Sequence, residues 1–157
     1  MINDINHLKV MDSLNIIYSQ ASRTDELAVK NLLSDLDGDR AEFKIEKFYL
    51  AKDKDNIIGC IRVKTYGDNC LELASLAVDK NYQHKGIGSK LVEELLLKEK
   101  YRPIFLLTSA DKEIFYKKFN FRIINPLELP EEFKGEYDKI IKLPFAKSLK
   151  VIAMVTE

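Results

Sequence analysis

The chain has 157 residues, 46% of them hydrophobic, and its 25 basic residues balance its 25 acidic ones. A chain of this size can bury a substantial core, which predicts a single domain over residues 1–157. A neutral chain lacks the positive field that attracts nucleic acid or anionic lipid, and no segment approaches the ~20 apolar residues of a membrane span. We therefore expect a cytoplasmic protein without nucleic-acid or membrane partners.

The first predicted elements are a helix and a hairpin. Ser22 and Asp25 have the spacing of a capping box, and apolar residues then recur at helical intervals until Gly38. The runs "FYLA" and "IIGCIRV" are rich in strand-forming residues and flank the polar "KDKDN", which predicts an antiparallel pair. The run "CLELASLAV" is apolar on both faces and predicts a central strand.

A strand, a helix and a parallel strand follow. Apolar residues form a helical stripe from Ile87, and Pro103 opens the apolar run "IFLL". A second short helix is expected in "DKEIFYKKF", with Ser109 as its N-cap and Asn120 in the left-handed conformation beyond its end. The runs "FRII", "KIIKL" and "VIAMV" are further strand candidates, and the sequence leaves their pairing open.

The two cysteines, Cys60 and Cys70, both lie in apolar runs that predict strands. Neither belongs to a CxxC pair, and no histidine stands at metal-ligand spacing from them. We expect buried free thiols rather than a disulfide, a nucleophile or a metal site.

The segment "YQHKGIGSKLV", residues 82–92, joins the central strand to the following helix. Such a joint directs backbone N–H groups and the positive end of a helix at one place, which suits a phosphate, and Gly86 and Gly88 let the backbone come close. A dinucleotide fingerprint needs a third glycine where Leu91 stands, and a P-loop needs Gly-Lys-Ser/Thr where Gly88 precedes Ser89. The pattern favours a pyrophosphate site, with a simple tight turn as the alternative.

This stretch resembles the acetyl-CoA-binding signature of the GNAT N-acetyltransferase superfamily, Q/R-x-x-G-x-G/A after a strand, here residues 83–88 after Val78. The run "EIFYKKFNF" is similar to the family's F/L-Y-x-x-x-G-F, and the resemblance extends in order over most of the chain. It implies an α/β fold with a mixed, mostly antiparallel sheet flanked by helices. Two central parallel strands would splay apart to admit the pantetheine arm of coenzyme A.

The resemblance also implies that acetyl-CoA is the co-substrate and that no metal is used. Backbone amides of residues 85–89 would hold the pyrophosphate, and residues 76–78 would pair with pantetheine like an added strand. The cofactor-binding residues expected on this basis are Leu76, Ala77, Val78, Gln83, His84, Lys85, Gly86, Ile87, Gly88, Ser89, Lys90 and Ser109.

Two residues have catalytic roles implied by the resemblance. Tyr116 matches the family tyrosine near the thioester sulfur, where a phenol can protonate the leaving thiolate. Glu72 stands where several members carry the base that takes the proton of the amine. The alternatives are an aromatic core position for Tyr116 and a solvent-edge or salt-bridged position for Glu72. Two residues depart from the family pattern: Ser109 replaces an asparagine that contacts CoA, and Asn120 replaces a glycine.

The segments that would wall the acceptor site in the family, residues 34–42 and 125–138, are acidic. They would attract cationic amines such as polyamines, aminoglycosides, lysines or peptide N-termini, unless the charges serve only solubility. The acidic residues concerned are Asp35, Asp37, Asp39, Glu42, Glu128, Glu131, Glu132, Glu136 and Asp138.

The leading hypothesis is an acetyl-CoA-dependent N-acetyltransferase that acts on a small-molecule or peptide amine by direct transfer in a ternary complex. One alternative is a non-catalytic acyl-CoA-binding regulatory module. Another is an interaction domain whose glycine stretch is only a turn. The C-terminal strand "VIAMV" would allow two chains to pair, so a homodimer is also a hypothesis.

Overall fold

The structure, a computed structural model, describes residues 15–36 and 38–157. Over these ranges it contains seven strands in the hydrogen-bonded order β1-β2-β3-β4-β5-β7-β6, and five α-helices. The elements are β1 (Ile16–Gln20), α1 (Glu26–Asp35), β2 (Phe48–Asp53), β3 (Asn56–Tyr66), β4 (Cys70–Val78), α2 (Ile87–Lys98), β5 (Ile104–Ser109), α3 (Glu113–Lys117), β6 (Arg122–Ile124), α4 (Glu131–Ile141), α5 (Ala146–Leu149) and β7 (Val151–Thr156).

The sheet is mixed and mostly antiparallel, which confirms the predicted fold class. Strands β1 and β2, β2 and β3, β5 and β7, and β6 and β7 pair antiparallel. Strands β4 and β5 pair parallel, with Leu71 opposite Ile104 and Glu72 opposite Phe105. These pairs lie at the beginning of both strands. The antiparallel hairpin and the βαβ unit read from the sequence are therefore both present.

The chain divides into two compact units, and strands β3 and β4 contribute to both. The first unit comprises the described residues up to Arg62 together with Ser75–Leu95. Its core packs Val29 and Leu33 of α1 with Phe48 of β2, all of which are fully buried. The capping box before α1 is also formed, since the Ser22 amide donates to the Asp25 carboxylate at 2.9 Å.

The second unit comprises Val63–Ala74 and Leu96–Glu157. Its core is centred on Phe133 of α4, which is fully buried with its ring centroid 5.2 Å from that of Tyr66 and 5.9 Å from that of Phe105. Cys70 and Val155 belong to the same cluster. Helix α4 therefore contributes to the hydrophobic core of this unit.

Three local predictions need correction. The run "KIIKL" is not a strand but lies at the end of α4 and in the turn beyond it, because Phe133, Tyr137 and Ile140 repeat at helical intervals. Strand β1, which the sequence reading missed, lies at the edge of the sheet against β2. The second short helix begins as a 3-10 turn, Ala110–Lys112, before α3.

Candidate active site

The joint between β4 and α2 is built by local hydrogen bonds. Asp79 accepts a 2.8 Å bond from the Asn81 amide, which forms a 3-10 turn over Lys80–Tyr82. The Gln83 side chain then turns back and donates to the Val78 carbonyl at 2.9 Å. These bonds fix the end of the strand, with Gln83 holding its last carbonyl, and the predicted contact of Gln83 with CoA stays a prediction.

Gly86 occupies the left-handed region, with φ of 80°, and His84 does so as well, with φ of 62°. A Cβ built on Gly86 would meet no heavy atom of the described residues within 4 Å. The first bond of the helix runs from the Lys90 amide to the Gly86 carbonyl, and the amides of the first turn before it have no partner within the helix. The loop therefore offers backbone donors and open space at the same point, which suits an anion.

Helix α2 is held beneath the loop by its apolar face. Ile87, Leu91 and Val92 are buried. Gly59 of β3 lies against this face, and a Cβ there would stand 3.0 Å from Leu91 Cδ1 and 3.2 Å from the Ala77 carbonyl oxygen. The sequence reading missed Gly59, although a glycine inside an apolar strand run indicates such a close approach.

The basic side chains near the loop differ in exposure and in the contacts that they form. Lys80, His84 and Lys85 are exposed, and the Lys85 ammonium lies 5.3 Å from the centre of the Tyr82 ring. Lys90 forms an ion pair with Glu94, with Nζ 3.0 Å from the carboxylate. Exposed cations with few contacts are the better candidates for a ligand phosphate, so Lys90 is the weakest of the predicted phosphate contacts.

Strand β4 contains a feature that the sequence reading did not foresee. Ser75 has φ of 56° in the middle of a strand, and the side chain of Arg62, which is 1% exposed, donates to its hydroxyl at 2.8 Å. The same guanidinium binds the loop at Asp39, Ala41 and Glu42. A buried arginine on a strand reads from sequence as an ordinary polar position, because its partners lie far along the chain.

Tyr116 lies on α3 within an aromatic cluster of the second unit. Its ring centroid is 4.9 Å from that of Phe115 and 5.9 Å from that of Phe121. Burial raises the pKa of the Tyr116 phenol to about 12. The phenol is therefore protonated at neutral pH, as a proton donor must be. The left-handed Asn120, with φ of 63°, follows α3 as predicted.

Glu72 is buried within a polar cluster of the same unit. Its carboxylate accepts a 2.6 Å bond from the Tyr66 hydroxyl and lies 3.8 Å from the Lys64 ammonium. Lys64, itself buried, lies 3.9 Å from Glu136 of α4. The salt-bridged alternative for Glu72 thus describes its position, and its role as a base stays a prediction.

Ser109 stands where the sequence reading placed it, just before the 3-10 turn that leads into α3. Its side chain forms no capping hydrogen bond within the described part of the chain. It ends β5 opposite Val151 of β7 and is half-buried. Its predicted contact with CoA stays a prediction.

A comparison with protein families identifies the chain. The family model described as an acetyltransferase (GNAT) domain matches residues 44–123, just over half of the 157 residues. The chain belongs to the GNAT acetyltransferase family. The matched range includes the glycine loop, Glu72 and Tyr116, so the resemblance seen in the two sequence motifs is confirmed.

Curated relatives of the GNAT chain match it over part of their length. An uncharacterized N-acetyltransferase of Chlorobaculum tepidum is 32% identical over 91 residues, which cover 56% of this chain and 57% of the relative. An amino-acid acetyltransferase of Neisseria meningitidis is 29% identical over 100 residues, which cover 61% of this chain and 23% of the relative. The chain thus spans less than two thirds of either protein.

The fold of the GNAT chain is shared with solved acetyltransferases. N-acetylglutamate synthase from Neisseria gonorrhoeae, complexed with coenzyme A and N-acetyl-glutamate, matches with a TM-score of 0.71. The sequence identity is 21%, and the match covers 89% of this chain and 34% of that one. At this identity the comparison shows the fold alone.

Several carboxylates of the two acidic segments have partners within the GNAT chain. Asp39 binds Arg62, Glu131 binds Lys134 at 2.6 Å, and Glu128 accepts from the Asn125 amide at 3.0 Å. Asp37 lies outside the described residues. Part of the negative charge of the acidic segments is therefore engaged in contacts within the protein. Fewer carboxylates are left to attract a cationic acceptor.

Both cysteines of the GNAT chain are buried free thiols, as predicted. Burial raises the pKa of Cys60 to about 12 and that of Cys70 to about 11. Neither thiol is a ready nucleophile, because the thiolate is the reactive form.

Across residues 15–36 and 38–157, no group of three or more His, Cys, Asp or Glu side chains is arranged to hold a metal ion. Over the same ranges, no helix combines the length and the apolar character of a membrane span.

Proposed function

We propose that this chain is an acetyl-CoA-dependent N-acetyltransferase that transfers an acetyl group to a primary amine. The observation that carries the proposal is the glycine loop at the start of α2, where the left-handed Gly86 leaves open space beside the first-turn amides, which a helix does not bond internally. Membership of the GNAT family supports it, because the range matched by the family model, residues 44–123, includes this loop. The names of both curated relatives agree with this activity.

The loop residues would hold coenzyme A by its phosphates. Backbone amides of residues 85–89 would bind the pyrophosphate, and the exposed Lys80, His84 and Lys85 would face the 3′-phosphate. The backbone of residues 76–78 would pair with the pantetheine arm, and an amide near Leu76 would stabilise the developing oxyanion. Acetyl-CoA would supply the acetyl group as a thioester.

The transfer needs two proton movements. The amine nitrogen bonds to the acetyl carbonyl carbon while the carbon–sulfur bond breaks, so the nitrogen gives up a proton and the sulfur gains one. Tyr116 is the proposed donor to sulfur, and its raised pKa keeps it protonated for this step. Glu72 is the proposed acceptor from nitrogen, directly or through water, and the Tyr66 hydroxyl and the Lys64 ammonium hold its carboxylate in place.

The acceptor is proposed as an amine of a small molecule or a peptide. The acidic segments favour a cationic amine, although Asp39 and Glu131 are already paired. The amino-acid acetyltransferase among the relatives makes free amino acids a second class worth testing. The single domain and the cytoplasmic location expected from the sequence stay predictions. The homodimer also stays a prediction, but the expected pairing through "VIAMV" needs correction, because β7 is hydrogen-bonded to β5 on one edge and to β6 on the other.

The experiment is an acceptor screen with product identification. The purified chain is incubated with acetyl-CoA and a panel of polyamines, aminoglycosides, amino acids and short peptides, and N-acetylated products are identified by mass spectrometry. An enzyme-dependent product names the acceptor class. Tight CoA binding without any product would instead favour the regulatory module, and absence of CoA binding would favour the interaction domain.

A further inference from the structure

Among the described residues of the first unit, Arg62 is the most deeply buried charged one, and its side chain donates to a strand on one side and to a loop on the other. Its side chain is 1% exposed. On one side Nε donates to the Ser75 hydroxyl of β4 at 2.8 Å. On the other side the terminal nitrogens bind the loop before β2, through the carbonyls of Ala41 at 2.8 Å and Glu42 at 3.1 Å and the Asp39 carboxylate at 3.1 Å. Burying a charged guanidinium costs free energy unless its N–H groups form hydrogen bonds. The contacts to Ser75 and to the loop before β2 therefore stabilise Arg62 in its buried position.

Ser75 is the residue on which this arrangement converges. Its φ of 56° is left-handed, a conformation that residues other than glycine rarely adopt, and almost never within a strand. The Ser75 hydroxyl accepts from Arg62 and donates to the Asp39 carbonyl at 2.8 Å. The Ser75 carbonyl accepts from the Cys60 thiol at 3.5 Å. These bonds from two segments, strand β3 and the loop before β2, offset the cost of the left-handed backbone.

The left-handed residue Ser75 makes a kink in β4 directly before residues 76–78, the part of the strand that leads to the glycine loop. Beyond it, the Ala77 carbonyl lies against Gly59, and the Val78 carbonyl is held by Gln83. The segment 76–78 is thus fixed at its far end by Gln83 and at its near end by the kink. A change in the Ser75 backbone would rotate the peptide groups that follow it.

We propose that Arg62 is a positioning residue that holds the left-handed Ser75, and through it the orientation of residues 76–78 for coenzyme A. The inference rests on the proposed function, because it assigns the segment 76–78 to the pantetheine arm. Arginine suits the task since its planar fork reaches Ser75 and the loop at once, while its cation lies 5.2 Å from the centre of the Phe48 ring. Lysine has no such fork.

The test uses two replacements of Ser75 that differ only in what the backbone tolerates. Ser75→Gly and Ser75→Ala both remove the hydroxyl, but only glycine adopts a positive φ without cost. Coenzyme A affinity is measured by calorimetry on the full chain, and urea unfolding verifies that each variant is folded. We expect Ser75→Gly to bind within about 3-fold of the wild type and Ser75→Ala to bind about 10-fold more weakly.

Arg62 is tested in the same assay. Arg62→Lys should weaken coenzyme A binding by about 10-fold, and the double variant Arg62→Lys with Ser75→Gly should recover most of that loss, because glycine holds the kink unaided. Arg40→Lys is the matched control, since Arg40 belongs to the same loop but is exposed, and it should bind normally. Recovery by glycine is a result that a merely structural role for Arg62 does not produce.

Three outcomes separate this inference from the proposed function. Equal binding by Ser75→Gly and Ser75→Ala, or normal binding by Arg62→Lys, would overturn the positioning role even if the wild type transfers acetyl groups. The predicted pattern in a wild type that binds CoA but transfers nothing would support the positioning role and reject the transferase. A wild type that does not bind CoA would overturn both.

Discussion

The Tyr66 hydroxyl donates a 2.6 Å hydrogen bond to the Glu72 carboxylate, and the buried Lys64 lies 3.8 Å from the same oxygen. Glu72→Gln removes the charge that this cluster stabilises, and removing one member of a buried ion pair should lower the free energy of unfolding by roughly 3 kcal/mol. If Glu72 is the base, kcat should also fall about 100-fold. Urea unfolding and initial rates measure the two effects separately.

The control for this prediction is Tyr66→Phe, which keeps the carboxylate and removes one of its donors. It should cost about 2 kcal/mol of stability, because the lost bond goes to a charged group, while kcat stays close to that of the wild type. Equal losses of kcat in both variants would show that the cluster is structural and that Glu72 is not the base.

The Tyr116 hydroxyl is the second test of mechanism. Tyr116→Phe keeps the ring contacts with Phe115 and Phe121 and removes only the proton donor. We expect kcat to fall roughly 100-fold or more with little change in coenzyme A affinity, as measured by initial rates and calorimetry. Tyr101→Phe, at a phenol that is 76% exposed, is the matched control and should leave both quantities unchanged. Full turnover in Tyr116→Phe would assign this residue to the aromatic core alone.

Gly86 separates a ligand site from a simple turn. A Cβ at this position meets no heavy atom of the described residues within 4 Å, so a valine would enter the space proposed for the ligand, and it would also strain the backbone at its φ of 80°. Gly86→Val should weaken coenzyme A binding at least 10-fold. Gly86→Asn also adds a side chain but tolerates a positive φ better, so the difference between the two variants measures the effect of backbone strain at this position. Calorimetric titration with coenzyme A distinguishes the two. Unchanged affinity in Gly86→Val would mean that the glycine only makes the turn.

Gly135 offers a prediction on stability alone. It lies inside α4, and a Cβ there would meet no heavy atom of the described residues within 4 Å. Gly135→Ala should therefore raise the free energy of unfolding by roughly 0.5–1 kcal/mol through helix propensity, with no effect on coenzyme A affinity. A loss of stability would show that this part of α4 is not a regular helix in solution.

The buried thiols predict how stability depends on pH. Burial raises the pKa of Cys60 from 9.0 to about 12, so the unfolded chain ionises first as the pH rises. Stability should therefore be unaffected by this group below about pH 9 and fall above it, by about 3 kcal/mol at pH 11 from Cys60 alone. Urea unfolding at these pH values measures it, and Cys60→Ala should show the smaller decline. Parallel curves for the two proteins would contradict the assignment.

Local patterns predicted the elements that carry the glycine loop. The hairpin of β2 and β3, strand β4 and helix α2 follow from residue spacing that acts within a few positions, and Asn120 is left-handed as its place after α3 requires. The last residues of helix α4 were predicted as a strand. The run "KIIKL" is too short to show helical periodicity by itself, and the period becomes visible only when Phe133 is included.

Contacts between distant segments were beyond the sequence. Arg62 and Asp39 are 23 residues apart, and no spacing rule relates them. Glu72 was recognised as the odd carboxylate on its strand, but its partners Lys64 and Tyr66 lie on the neighbouring strand, where only the register of the sheet decides which side chains meet. The motif residues could be recognised in the sequence, whereas the side chains that position them, such as Arg62, Lys64 and Tyr66, could be identified only in the structure.

The proposed transferase activity is tested most directly by the rate of free-thiol release from acetyl-CoA by the wild-type chain, with and without each amine of the acceptor panel. We expect release that depends on the amine, saturates with its concentration and falls in Tyr116→Phe. Release that is absent, or that is the same without any amine, would contradict the claim that this chain is an N-acetyltransferase.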